Sequence, residues 1–272
     1  MTEILETLPG KNNDNNTHVI AENKKSVYPT LMVELPSKGL LYPEGHPLSS
    51  GVIEMKYMTA KEEDILTTES YIKQGIALDK LFQSLIVTKV DYSDILLGDN
   101  VAIMLAARIY GYGEKYLSKI KMPSGKEKEI EVDLTTLKPK EIDESLITKG
   151  VNEFEFTTPL GKNVIKFKLL TNGDQRAIDT KLKEYKKPGT RDFQLTARLC
   201  QMIISVDGET NPALIRAFVD NDLRALDSRA FREFAKRIQP DIDLSIELID
   251  EETGDSFRTE VTFGLNLFWL DI

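Results

Sequence analysis

Val52-Ile53-Glu54-Met55-Lys56-Tyr57-Met58-Thr59 and Val164-Ile165-Lys166-Phe167-Lys168-Leu169-Leu170-Thr171 are the two stretches on which the reading of the fold turns. They lie at an offset of 112 residues, and four of their eight positions are identical. Each alternates well enough to be a half-buried strand, and each ends on a threonine placed to open a helix. In the first, Ile53, Met55 and Tyr57 fall on one face. Thr59-Ala60-Lys61-Glu62 then reads as a capping box, in which the hydroxyl accepts from the helix start and the glutamate reaches back. A helix to about Thr67 is expected.

Working outward, Leu81-Phe82-Gln83-Ser84-Leu85-Ile86 lies over Leu199-Cys200-Gln201-Met202-Ile203-Ile204 at an offset of 118, and Ala106-Ala107-Arg108-Ile109 over Ala235-Lys236-Arg237-Ile238 at 129. The offset grows only at loops, as insertions make it grow. Helices are expected at about 78–87, 100–109 with Asp99 as its cap, 174–185, 192–205, 211–219 and 228–238. Hairpins are expected at 116–134, 153–169 and 244–267. Shared pattern and capping chemistry make any strand–threonine–helix unit resemble another, but here order and spacing agree as well as residues. The expected fold class is α+β, as two tandem modules related by internal duplication, each with short antiparallel strands packed on two to three helices. Residues 1–27 read as a polar disordered tail, 28–140 as the first module, 141–150 as a linker and 151–272 as the second module.

Composition narrows the chemistry. The chain has 272 residues, 41% of them hydrophobic, and a formal charge of −9, which disfavours binding to phosphate backbones. No apolar run approaches the length needed to cross a bilayer, and Met1 to Pro9 lacks the basic-then-apolar order of a secretion signal. A soluble intracellular protein is expected, with no nucleic acid, membrane or small-molecule partner.

Little in the residues points to catalysis. One cysteine, Cys200, and two histidines, His18 and His46, leave no thiolate framework and almost nothing for histidine-dependent zinc or acid–base work. Cys200 sits among Leu199, Met202, Ile203 and Ile204 and reads as a small buried apolar residue. Pro36-Ser37-Lys38-Gly39 and Pro123-Ser124-Gly125-Lys126 lack the spacing and following helix of a phosphate-binding loop, and turn chemistry accounts for both. Gly111-Tyr112-Gly113 ends a helix rather than opening one. Glu62-Glu63-Asp64 suits the opening turn of a helix, and Glu251-Glu252 a polar hairpin tip. Lys181, Lys183, Lys186, Lys187 and Arg191 form a basic run without aromatic platforms, ordinary at a helix C-terminus. No catalytic, cofactor-binding or metal-ligating residue is assigned.

Two apolar segments exceed this plain reading. Leu40-Leu41-Tyr42 lies in the Pro- and Gly-rich connection from Pro36 to Gly51, and Phe268-Trp269 near the carboxyl end. Each is either folded back on the body or held for a partner, and in the second case these five residues are the expected partner-binding anchors.

Glu34-Leu35-Pro36-Ser37-Lys38-Gly39, Tyr42-Pro43, Met58-Thr59-Ala60-Lys61-Glu62-Glu63 and Gly75-Ile76-Ala77-Leu78-Asp79-Lys80-Leu81 resemble the opening of baseplate hub proteins in T4-like contractile-tailed phages. Leu226-Asp227-Ser228-Arg229, Pro240-Asp241-Ile242-Asp243 and Leu267-Phe268-Trp269 are similar to that family's end. The resemblance covers most of the chain after the tail and rests on the order of motifs that are individually weak. It implies a non-enzymatic protein that organises or chaperones assembly of the baseplate hub and central spike, through contacts with other hub or tail proteins in the host cytoplasm, and in the virion baseplate if it is retained there. Many relatives carry a zinc-holding cysteine knuckle in each closing hairpin. Here those turns read Met122-Pro123-Ser124-Gly125-Lys126 and Asp250-Glu251-Glu252-Thr253-Gly254-Asp255, so no metal role carries over and hydrogen bonds must hold the turns. The competing expectations are a duplicated adaptor or scaffold unrelated to virions, and a metal-dependent hydrolase using Glu62, Asp64 or Asp99.

Overall fold

β-Branched and other apolar residues make the first hairpin. β1 (Thr30–Glu34) pairs antiparallel with β2 (Val52–Lys56), burying Val33 opposite Ile53. The computed structural model describes residues 29–185, 193–250 and 254–269. After β2 come α1 (Ala60–Thr67), the short α2 (Glu69–Gln74) and α3 (Ala77–Leu85), then α4 (Leu97–Tyr112) and the hairpin β3 (Lys115–Lys121) with β4 (Glu127–Asp133). β5 (Lys138–Pro139) leads out of this half. The second half runs β6 (Phe154–Thr157), β7 (Val164–Phe167), α5 (Asn172–Tyr185), α6 (Gln194–Met202), β8 (Ile203–Val206), α7 (Pro212–Asn221) and α8 (Ala225–Ile238). It closes with β9 (Ile242–Asp243) and the hairpin β10 (Ser245–Ile249) with β11 (Ser256–Glu260). The fold is mixed α+β, with small antiparallel sheets packed on helices.

Four expectations are corrected. The helix expected over 192–205 stops at Met202, because Ile203 to Val206 join β7 as a third strand. Packing against a free sheet edge outweighs the helical period of those β-branched residues. Asp99 is not a cap. α4 begins two residues earlier, and the Asp99 carboxylate is buried against Ser37 and Tyr42. Tyr57 lies past the end of β2 and is 37% exposed rather than inward-facing. The strand expected after Phe257 ends at Glu260, and Leu265–Leu267 form a short 3-10 turn. The tail 1–27, with His18, the basic residues Lys186, Lys187 and Arg191, and the hairpin tip Glu251-Glu252-Thr253 lie outside the described residues.

One continuous apolar cluster runs through both halves, from Val33 and Leu48 to Phe231 and Phe268. Two-stranded sheets cannot cover themselves, so each half covers the other. The turn opening α5 pairs with the start of α4: Leu97 N–H donates to Leu170 O at 3.0 Å and Asn172 N–H to Ile95 O at 2.9 Å. Arg176 of α5 bonds Asp79 at 3.1 Å and lies over the Tyr92 ring. β5 pairs with β9. Residues 141–150 lie against the Pro36–Gly51 connection through Gly150 N–H to Leu40 O at 2.7 Å and Lys38 to Glu144 at 2.6 Å.

Candidate functional site

The residues with acid chemistry come first, because their surroundings decide what they can do. Glu62, in the first turn of α1, is buried. It accepts from Lys56 Nζ at 2.7 Å, from Thr59 N–H at 3.1 Å, from the Thr59 hydroxyl at 2.6 Å and from Ser84 at 3.0 Å. The glutamate reaches back as expected, while the threonine hydroxyl donates to it. Burial alone raises the carboxyl, but these donors hold it down at about 2. Asp174, in the first turn of α5, repeats the arrangement with Lys168 Nζ at 2.7 Å, Thr171 N–H at 3.1 Å and Gln201 at 2.8 Å. Its carboxyl is likewise lowered, against the effect of burial, by those donors.

Asp99 is buried at the third residue of α4. Ser37 donates to it from N–H at 2.9 Å and from Oγ at 2.7 Å, and Tyr42 Oη donates at 2.7 Å. Among the described residues no cation forms an ion pair with it, and burial pushes its carboxyl up despite these bonds. The Tyr42 phenol is raised for the same reason, with Asp99 adding to the effect. Asp227, buried at the third residue of α8, accepts from Leu160 N–H at 2.7 Å and Gly161 N–H at 3.1 Å in the β6–β7 loop. Each half thus ties the loop of its first hairpin to a buried aspartate. Asp64 is exposed and belongs to neither network. Among the described residues no group of three or more His, Cys, Asp or Glu is placed to hold a metal ion. Cys200 is half-buried, with its thiol raised by burial.

The five anchor residues are largely inside. Leu41 and Tyr42 are buried and Leu40 is half-buried, with His46 stacked on the Tyr42 ring at 4.9 Å. The connection folds back on the body because Tyr42 finds both an acceptor in Asp99 and a donor in Leu96 N–H at 3.0 Å. Phe268 is buried edge-on to Phe82, and Trp269 donates from Nε1 to Leu66 O at 2.9 Å. The segment before them crosses the first half's closing hairpin, where Gly264 N–H donates to Tyr116 Oη and Asn266 Nδ2 to Leu117 O. Of the two alternatives open for these segments, Leu41, Tyr42 and Phe268 pack within the chain, while Leu40 and Trp269 are half-buried. The closing turns are held by backbone bonds, Met122 N–H to Lys126 O at 2.8 Å and Asp250 N–H to Asp255 O at 2.9 Å.

Sequence reasoning missed the apolar surface that is exposed. Tyr57 and Tyr110 meet edge to face at 5.6 Å beside Gly111, against which Met58 packs. On the second half, Leu195 and Leu226 stand out at 46% and 56% exposure beside a groove of about 410 Å³ lined by Leu199, Val219, Leu223 and Ala225. Helical spacing alone does not reveal these positions, since each belongs to an element that also buries apolar residues. Among the described residues no helix is long and apolar enough to cross a membrane. Comparison of the chain with protein-family models, with curated proteins and with solved structures returned no match.

Proposed function

We propose that this chain is an assembly protein of a contractile phage tail, working at the baseplate hub by protein–protein contact, and that its two halves arose by duplication. The observation that carries the reading is that the buried carboxylates of both halves serve as structural tie points, Glu62 with Asp174 and Asp99 with Asp227, while apolar side chains are left on the outside. A carboxylate held by three or four donors is spent on positioning backbone, and an exposed tyrosine pair beside a small residue suits contact with another chain. The hub motifs quoted from both ends of the chain give the reading its context. The paired tie points support duplication because they recur at matching places in strand, helix and loop.

Deleting the gene from its phage and imaging the lysate by electron microscopy tests this. The expected result is heads and tail parts without complete baseplates, restored by the gene in trans. Normal tails from the deleted phage overturn the reading. Mass spectrometry of purified particles then separates a retained subunit from a chaperone that leaves.

A further inference from the structure

We infer that the outer face of α8 docks an acidic segment of another protein, with an apolar residue at one end of that segment meeting Leu226. Periodicity sets the face apart. α8 buries Asp227, Ser228, Phe231, Ala235 and Ile238, and on its other side exposes Leu226, Arg229, Arg232, Glu233, Lys236 and Arg237. With Arg224 at the N-cap, the stretch carries five cations against Asp227 and Glu233, a formal +3 in a chain of −9. The rest of the molecule therefore carries −12.

Helix stability accounts for only part of this. Lys236 and Arg237 lie in the last turn, where cations suit the helix dipole. Arg224 sits at the opposite end, where the same dipole disfavours it, and Arg229 and Arg232 lie between. The choice of cation also departs from the rest of the chain, which has 25 Lys and 10 Arg. Four of these five are arginine, whose planar fork grips a carboxylate through two parallel bonds. A face that only needs to be wet gains nothing from that fork. Three of the arginines are already set in place: Arg229 Nε donates to Glu233 at 2.8 Å, Arg232 Nε to Ser228 O at 3.3 Å, and Arg237 lies over the Phe234 ring at 5.3 Å. Arg224, Arg232, Lys236 and Arg237 form no ion pair among the described residues, so ordering costs little and the charge is free to be met.

Charge and reach name the occupant. A nucleic acid or an anionic bilayer extends past a single helix and meets the field of the acidic body, which repels it. A short acidic segment touches the cationic face alone. From Leu226 to Arg237 the helix advances about 17 Å, the length of three turns of a partner helix. The end at Leu226 is apolar, because Leu160, whose N–H is bonded to Asp227, stands there 49% exposed beside a Leu226 that is 56% exposed. A cationic stripe with an apolar end matches an acidic segment that ends on an apolar residue. This names a partner's chemistry for the contact role proposed above, and rests on that reading in taking the partner to be a protein.

Fluorescence anisotropy on the purified full chain tests it, with a labelled synthetic helix of about eleven residues, rich in glutamate and carrying leucine at one end. The probe should bind, and bind less as salt rises from about 0.05 to about 0.5 M. Arg232→Glu combined with Lys236→Glu should weaken binding about tenfold with unchanged thermal unfolding. Reversing Lys61 and Lys80, both exposed on the first half, should leave it as it was. Leu226→Ser should weaken the leucine-ended probe and not a probe with serine in its place. Absence of binding overturns the inference, as does an equal loss from the two pairs of reversals. Tighter binding of single-stranded DNA of the same charge also overturns it, and makes the face a nucleic-acid site. A failure here leaves the deletion phenotype untouched, so the two readings fail separately.

Discussion

Asp99 and Asp227 hold the same place in the two halves: each is the buried third residue of a helix and accepts two hydrogen bonds from the loop of its half's first hairpin, one in the pair Ser37 N–H and Oγ, the other in Leu160 and Gly161 N–H. Loops seldom carry their own apolar support, so a buried acceptor is an effective way to fix one. The Tyr42 hydroxyl adds a third donor at Asp99 and carries the apolar connection inward with it.

Removing that acceptor should therefore cost more than removing a charge. Asp99→Ala strands three buried donors and is expected to destabilise the fold by about 3 kcal/mol in urea titrations. Asp99→Asn keeps an acceptor oxygen and removes the buried charge, and should retain most of the stability. Equal losses from the two would mean that charge, not acceptance, is what the loop requires.

The junction of the halves is tested at Gly98. A methyl group there meets the Pro240 carbonyl at 1.7 Å, with Asp241 Cα behind it at 3.2 Å. Because backbone rather than a flexible side chain must give way, Gly98→Ala should cost at least about 2 kcal/mol. Gly45, which has open space around it, sits at φ 82°, so Gly45→Ala serves as a control that adds only local backbone strain.

Acid stability follows from the carboxylates at the two helix starts. Glu62 falls from its ordinary 4.5 to about 2, and Asp174 is lowered from 3.8. The stability each contributes is complete above its unfolded value and is lost as pH falls through the folded one. Asp99 acts in the opposite sense: its raised carboxyl favours folding when neutral, and that contribution is lost as pH rises through its folded value. Wild-type melting temperature should therefore drop between about pH 4.5 and 2 as the two lowered groups protonate. Glu62→Gln should melt lower at neutral pH and show a shallower acid limb. An unchanged acid limb would remove Glu62 as a cause.

The carboxyl-terminal segment is expected to stabilise the first half rather than its own. Phe268→Ala empties a buried site against Phe82 and should cost about 3–5 kcal/mol. Hydrogen exchange should show the loss around α3 and the β3–β4 hairpin, with β6, β7 and α8 less affected. Loss confined to the second half would contradict the crossing.

Much of the local structure was legible along the chain. The strand–threonine–helix stretches became β2–α1 and β7–α5, and Glu62 reaches back as the capping pattern required. Asn211 caps α7 and Pro240 follows α8, as their side chains and rings dictate. Ile203 to Val206 were misread because a helix and a strand are both open to such a run until a partner strand is present. The place of the anchors was left open between two alternatives for a related reason. Leu41, Tyr42 and Phe268 are apolar wherever they lie, and apolarity marks a need for cover without naming what supplies it.

Residue types and their spacing were sufficient to specify most of the elements and the backward reach of Glu62, because hydrogen bonds near in sequence and side-chain periodicity act within a few residues. Which apolar surfaces are covered, and by which half, was settled only when the halves met. Burial belongs to the surfaces that come together: it put Tyr42 against Asp99 and Phe268 against Phe82, and it left Tyr110 and Leu226 facing outward.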